Sequence, residues 1–355
     1  MQSKFSSQTI TALRFPLIVA VVMLHTYIID KPIAGHIYVK GGQFPIFDLI
    51  EHLFRVEIAN MAVPLFFFIS GYLFFGDISF SKKTYQDKLK RRFFSLFIPY
   101  IFWNTVFMLF IAGLAAIYPT WLVEKKSMFS MNLTDFFNAF WNLNQGLIPL
   151  WFIRDLMVLN LLAPLLYWLL KRFGILFLSF MCLLWLCQIG QWIPGIGVRA
   201  SFFYAFGAWF SIHKLGFIEV LSKFEKQIYL ISISLIFLDT YLWSKNVSYS
   251  ILFQLSQIIG SLAIALFVSR LLLLNRIKPN AFLAESSFFV FVFHMFIIKL
   301  PTMYWVRILP INTFTATGVL FVIPILTSLT CVIIYKCINS FFPHFAGVIM
   351  GRRKQ

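Results

Sequence analysis

The residues of this chain with the most chemical potential are the few ionisable ones that fall inside apolar runs. A charge there is costly and is a functional candidate by default. Arg14 and His25 share the first such run, eleven positions apart. At about 100° per residue, eleven steps return to within roughly 20° of the same helical face, about 16 Å along the axis. An imidazole changes protonation near neutral pH, so it can take a proton from a reacting group or accept a group covalently. A guanidinium suits phosphate oxygens through paired N–H donors. Alone, Arg14 reads as a charge anchor at the membrane edge and His25 as an interfacial polar residue; together on one face they read as a site. Pro16, two residues after Arg14, suits a first helical turn, or else kinks the helix.

Other polar groups recur in later apolar runs. In Val63–Tyr72, Pro64 frees a backbone carbonyl and Ser70-Gly71 permits close helix approach, so plain helix packing is the first reading. Pro149–Leu156 carries Trp151, which suits an interfacial belt, and Arg154-Asp155, whose charges can offset each other. Ser287 and His294, seven apart, share a helical face; a single histidine in an aromatic helix is usually a packing residue. Lys88–Arg92 followed by Pro99-Tyr100 is a basic anchor, or a phosphate holder through Arg91 and Arg92. There is no Gly-rich phosphate loop, no His-Glu-x-x-His and no serine nucleophile elbow. The six histidines show no metal-ligand spacing, so no metal site is expected. Cys182, Cys187, Cys331 and Cys337 lie in or beside apolar runs and read as packing residues.

The elements that must position these groups are transmembrane helices. Of 355 residues, 60% are hydrophobic and only 12% charged, and the mean hydropathy is +0.83. Soluble domains carry about twice that charge, so most of this surface must face lipid. Runs near Thr9–Ile29, Ala59–Phe75, Phe93–Tyr118, Pro149–Leu170, Ile175–Trp192, Val198–Ile212, Ile228–Trp243, Tyr249–Leu272, Phe282–Leu300 and Phe314–Ile334 make about ten candidate spans. The net charge of +17 reads as the lysine and arginine excess of cytoplasmic loops rather than as a nucleic-acid surface. With the amino terminus inside, nineteen basic residues fall in cytoplasmic segments and nine in outer ones, Arg14 and Arg154 set aside. That bias predicts both termini in the cytoplasm. The expectation is an all-α polytopic bundle, residues 1–355 forming one membrane-embedded domain with no fused soluble domain. The first span is too long for a signal-peptide core and should remain attached. Neither long outer loop, Lys31–Ile58 or Thr120–Ile148, is large enough to be a catalytic domain, so any chemistry belongs to the bundle or its mouths.

Taken in order, the motifs resemble the membrane acyltransferase 3 family. Arg14, ten residues, then His25 looks like its first-helix signature. Phe66–Phe74, reading Phe-Phe-Phe-Ile-Ser-Gly-Tyr-Leu-Phe, is similar to its second-helix motif. Arg91-Arg92 with Pro99-Tyr100 resembles its basic third-helix start, and Trp151-Phe152 with Asp155-Leu156 its Trp-Phe segment. Ser286-Ser287-Phe288 to His294 resembles its late serine–histidine helix, with Phe289 and Phe291 replacing a glycine and a tyrosine.

The resemblance implies an O-acyltransferase, most often for acetyl groups. The donor would be cytoplasmic acetyl-CoA or another acyl-CoA as co-substrate. The acceptor would be a glycan or lipid-linked glycan of a bacterial surface, and the location the inner (cytoplasmic) membrane. Membrane lipids surround the chain, an envelope protein could receive the acyl group, and no nucleic acid is expected. On this reading Arg14, Arg91 and Arg92 bind acyl-CoA phosphates, and His25 is general base or, second, covalent carrier. Ser70, Trp151, Asp155, Ser287 and His294 belong to the acceptor or structural part of the site. A transporter or flippase of an envelope precursor is the competing expectation. It predicts inverted repeats or paired broken helices, neither of which is clear in the sequence.

Overall fold

The computed structural model describes residues 4–33, 35–76, 80–117, 131–143, 146–191 and 193–351. Helices dominate it, as they must where lipid offers the backbone no hydrogen-bond partner. The first, α1 (Lys4–Leu24), has 21 residues, about 30 Å long and so matched to a hydrocarbon core. A two-stranded hairpin, β1 (Pro32–Ile33) and β2 (His36–Ile37), follows it. Next comes a continuous helical run from Pro45 to Phe75. It consists of α2 (Pro45–Glu51), a π-helical turn (His52–Ile58), a 3-10 turn (Ala59–Met61) and α3 (Ala62–Phe75). Residues 45–58, which the sequence assigns to an outer loop, are therefore helix. Their charges disguise them: Glu51, His52 and Glu57 are buried against protein rather than exposed to lipid.

A second run, Lys82–Ile117, joins the basic α4 (Lys82–Arg92) through a π turn (Phe93–Phe97) to α5 (Ile98–Ile117). Ser81 caps α4 by accepting from the Thr84 N–H. Then follow α6 (Leu133–Trp141), α7 (Trp151–Leu161), α8 (Ala163–Phe173), α9 (Ile175–Leu186) and α10 (Val198–Ile212). After the short α11 (Phe217–Leu221) come α12 (Glu225–Ser244), α13 (Ser250–Leu273), α14 (Ala281–Ile297) and α15 (Lys299–Ile308). The chain ends with α16 (Thr313–Phe341) and α17 (Pro343–Ile349). Asn280 caps α14, and Asn312 with Thr315 forms a capping box on α16.

Among the described residues six helical runs are long and apolar enough to cross a membrane, and eight if two bent pairs each count once. By length and composition, the ten expected spans are therefore met in eight cases at most. The two remaining candidates are α9, with 12 residues, and α10, with 15, both short of the roughly 20 that a span needs. The bent pairs are α7 with α8, at 66°, and α14 with α15, at 48°. Pro164 and Pro301, near the starts of the second members, lack the N–H that would continue the helical ladder. Pro16 behaves differently from a first-turn proline. It lies inside α1, because helix begins at Lys4 rather than near Thr9.

Packing centres on two contacts. α1 runs against α3, α13, α14 and α16, burying Leu13, Leu17, Val21 and Val22. α3 and α10 meet backbone to backbone through reciprocal glycines. A methyl group on Gly71 would overlap the Tyr204 carbonyl, and one on Gly207 the Phe68 carbonyl. Small residues at such a crossing let dispersion forces act at full strength where lipid removes the hydrophobic drive.

Candidate active site

His25 sits one residue beyond α1, in a turn closed by its own N–H on the Val22 carbonyl (3.0 Å) and the Thr26 N–H on Met23 (3.1 Å). The span expected to reach Ile29 therefore stops at Leu24, and the imidazole stands at the mouth of the helix. His294 enters from α14, which packs beside α1. The two rings lie 5.2 Å apart, centroid to centroid, inclined by 42°.

The His294 tautomer follows from its neighbour. Nδ1 lies 3.0 Å from the Val290 carbonyl oxygen, which can only accept, so Nδ1 carries the proton. In the neutral ring Nε2 then offers a lone pair. That atom is buried and has no hydrogen-bond partner among the described residues. Buried polar atoms are nearly always paired, so an unpaired acceptor beside a second imidazole makes His294 a candidate for the site. His294, whose motif matches least well, thus stands closest to His25.

Three motifs separated in sequence converge on an aromatic wall next to this pair. Phe291 of α14 contacts Phe152 of α7 at 6.0 Å, and Phe152 contacts Phe67 of α3 at 4.5 Å. Trp151, half-buried, meets Phe67 at 6.0 Å, so one face of its ring packs on α3. Ser70 follows Phe67 by one turn and is half-buried. Ser287 donates to the Leu283 carbonyl of its own helix at 2.9 Å. The replacements in the late motif have roles of their own: Phe291 completes the wall, while Phe289 stacks on Phe293 at 4.8 Å and meets Trp103 at 5.7 Å.

Asp155 is a latch. Its Oδ1 accepts from Arg154 Nε and Nη2, at 2.9 and 2.7 Å, and from the Gly195 N–H at 2.9 Å. Arg154 donates in turn to the Trp141 carbonyl. The charges offset each other as the sequence suggests. Their reach is toward the Gly195 loop and the end of α6, and neither histidine is among these partners.

The arginines divide between the two ends of α3. Arg55, in the π turn before α3, lies over the Tyr27 ring beside the His25 turn. Phe74, at the far end of α3, carries the Arg92 guanidinium at 5.9 Å and receives Lys88 on its carbonyl. The 14 residues of α3 set these ends about 20 Å apart. Arg91 is exposed and Arg92 half-buried. Arg14 lies half-buried on α1, eleven residues back from His25 toward that same basic end. Lys125, Lys126 and Arg352–Lys354, part of the charge tally, lie outside the described residues.

One group was not legible in the sequence. His52, Glu57 and Asp239, all buried, bring one ligand-capable atom each to within 4.8 Å of the others. The expectation of no metal-ligand set rested on linear spacing, whereas this set is assembled by the fold. The only prior signal was four ionisable residues within Glu51–Glu57 of an apolar run.

A family model described as an acyltransferase domain matches residues 8–336, covering α1 through most of α16 and so Arg14, His25 and His294 alike. No curated protein and no solved structure matches the chain.

Proposed function

The chain belongs to the membrane acyltransferase 3 family, and on that premise we propose that it moves an acyl group, acetyl in the first instance, from cytoplasmic acyl-CoA to a hydroxyl of a surface glycan. The observation that carries this reading is the His25–His294 pair, 5.2 Å apart at one mouth of the bundle, with Arg14 set back along the same helix toward a basic opposite end. The phosphates of coenzyme A are held by Arg14, Arg91 and Arg92 on the cytoplasmic side. The acyl-bearing arm then extends along α1 to His25. Both chain termini lie in the cytoplasm, and the protein resides in the inner membrane.

At the mouth, His25 takes the proton of the acceptor hydroxyl as its oxygen attacks the thioester carbonyl. The carbon–sulfur bond breaks, a carbon–oxygen bond forms, and the proton passes to the departing thiolate. His294 is a positioning residue: its ring packs against the His25 ring at 5.2 Å. Ser70, Trp151 and Phe152 shape the acceptor end, and Asp155 holds the neighbouring loop. The test supplies labelled acetyl-CoA to inverted vesicles containing the wild-type chain or His25→Ala and follows label into glycan. Label that appears with wild type and vanishes with His25→Ala is the expected result. Undiminished transfer by His25→Ala would remove the mechanism, and no label above empty vesicles with the natural acceptor present would remove the reaction.

A further inference from the structure

We propose that His52, Glu57 and Asp239 form a binding site for a divalent cation of the zinc class. The site stands apart from the residues assigned to acyl transfer. His52 and Glu57 come from the π turn before α3, and Asp239 from α12. Five residues apart, two side chains on an α-helix would point about 140° away from each other. In the π turn, where the Ala59 N–H reaches back five residues to the Phe54 carbonyl, residues five apart come back to within about 50° of one another. The irregular winding is what puts both ligands on the face that meets α12.

The donor set is specific. His52 Nε2 lies 3.2 Å from Asp239 Oδ2, and its ring is stacked on Trp243 at 4.3 Å, which holds the imidazole in place. Glu57 is 0% exposed. One of its carboxyl oxygens takes the Ser256 hydroxyl. The other, Oε1, is buried without a hydrogen-bond partner among the described residues. Gln257 also donates to the Glu57 main-chain carbonyl at 3.1 Å, tying the turn to α13. Two carboxylates and a neutral imidazole match the charge of a divalent cation, which would compensate both carboxylates at once. One nitrogen and two carboxylate ligands, with a fourth position for water, is a zinc-type shell.

The site bears on the catalytic mouth through its backbone. Arg55 lies between the two ligands in the same turn, is paired with Glu51, and covers Tyr27, two residues from His25. A bound cation therefore fixes the turn against which the His25 loop rests.

The test is metal content and thermal unfolding of the purified full-length chain in detergent, after equilibration with Zn2+ and removal of excess. Wild type is expected to keep about one Zn2+ per chain and to gain thermal stability from added Zn2+. Glu57→Gln and Asp239→Asn, which keep the shape of each side chain, should lose both the metal and the response. If a variant fails to give a monodisperse protein, the wild-type stability gain and its reversal by a chelator decide the matter. Equal Zn2+ retention by wild type and both variants, or no stabilisation of wild type, overturns the proposal. Retention of Ca2+ or Mg2+ in place of Zn2+ overturns the ligand class. Neither readout depends on acyl transfer, so this proposal and the catalytic reading fail separately.

Discussion

If His25 and His294 work as one unit, their substitutions must fail to multiply. The structure suggests a clean cycle. His294→Asn keeps a side-chain amide able to donate to the Val290 carbonyl, now satisfied by Nδ1 at 3.0 Å, and deletes only the unpaired Nε2. His25→Ala removes the base itself. General-base loss costs about 10²–10⁴ in rate, roughly 3–5 kcal/mol at 1.36 kcal/mol per decade. Contacting residues couple by about 0.5–3 kcal/mol, and rings in contact at 5.2 Å that act on one proton belong near the upper part of that range. His294→Asn is therefore expected to lower kcat by about tenfold to a hundredfold with little change in KM, the pattern for an interaction made in the transition state. The double variant should be hardly slower than His25→Ala alone. Initial rates of label transfer into glycan supply the cycle. Losses that multiply, or a His294→Asn effect confined to KM, would refute the claim that His294 positions His25.

Further outcomes follow from other contacts. Gly207→Ala forces a methyl into the Phe68 carbonyl; overpacking of this kind costs about 1–3 kcal/mol, and the variant should unfold at lower temperature in detergent, as should Gly71→Ala. Asp155→Asn leaves the buried Arg154 without its ionic partner, a change of about 3–5 kcal/mol, seen as reduced yield and thermal stability even without substrate. Arg14→Lys keeps the charge but not the fork, so KM for acetyl-CoA should rise about tenfold, equivalent to roughly 1.4 kcal/mol of binding, while acceptor KM stays unchanged.

The helical architecture was legible because it depends on a local pattern, apolar length; the eleven-residue spacing from Arg14 to His25 assumes a regular helix throughout, whereas α1 stops at Leu24. What escaped depended on tertiary burial. Residues 45–58 carry enough charge to read as loop, and their enclosure by α16, α12 and α13 lets them be helix. The sequence treats α9 and α10 as spans by apolarity, but both are too short to cross unaided, and α10 is largely buried in protein. His294 could be placed on a helix but not opposite His25, since 269 residues separate them. Asp239 and His52, 187 apart, share the same difficulty, and the π winding also defeats any search at α-helical spacing.

That winding makes the helix tolerant of a change in length where ordinary helices are not. A π turn accommodates one residue more than an α turn spanning the same rise. Removing a single residue between His52 and Glu57 would let the segment relax to regular α-helix, and the turns before and after it would keep their angular relation. His52 and Glu57 would then stand four positions apart, about 40° from one another around the axis, still on the face that meets α12. The same deletion within α3 would turn everything before it by about 100° and break the register of the glycine contact with α10.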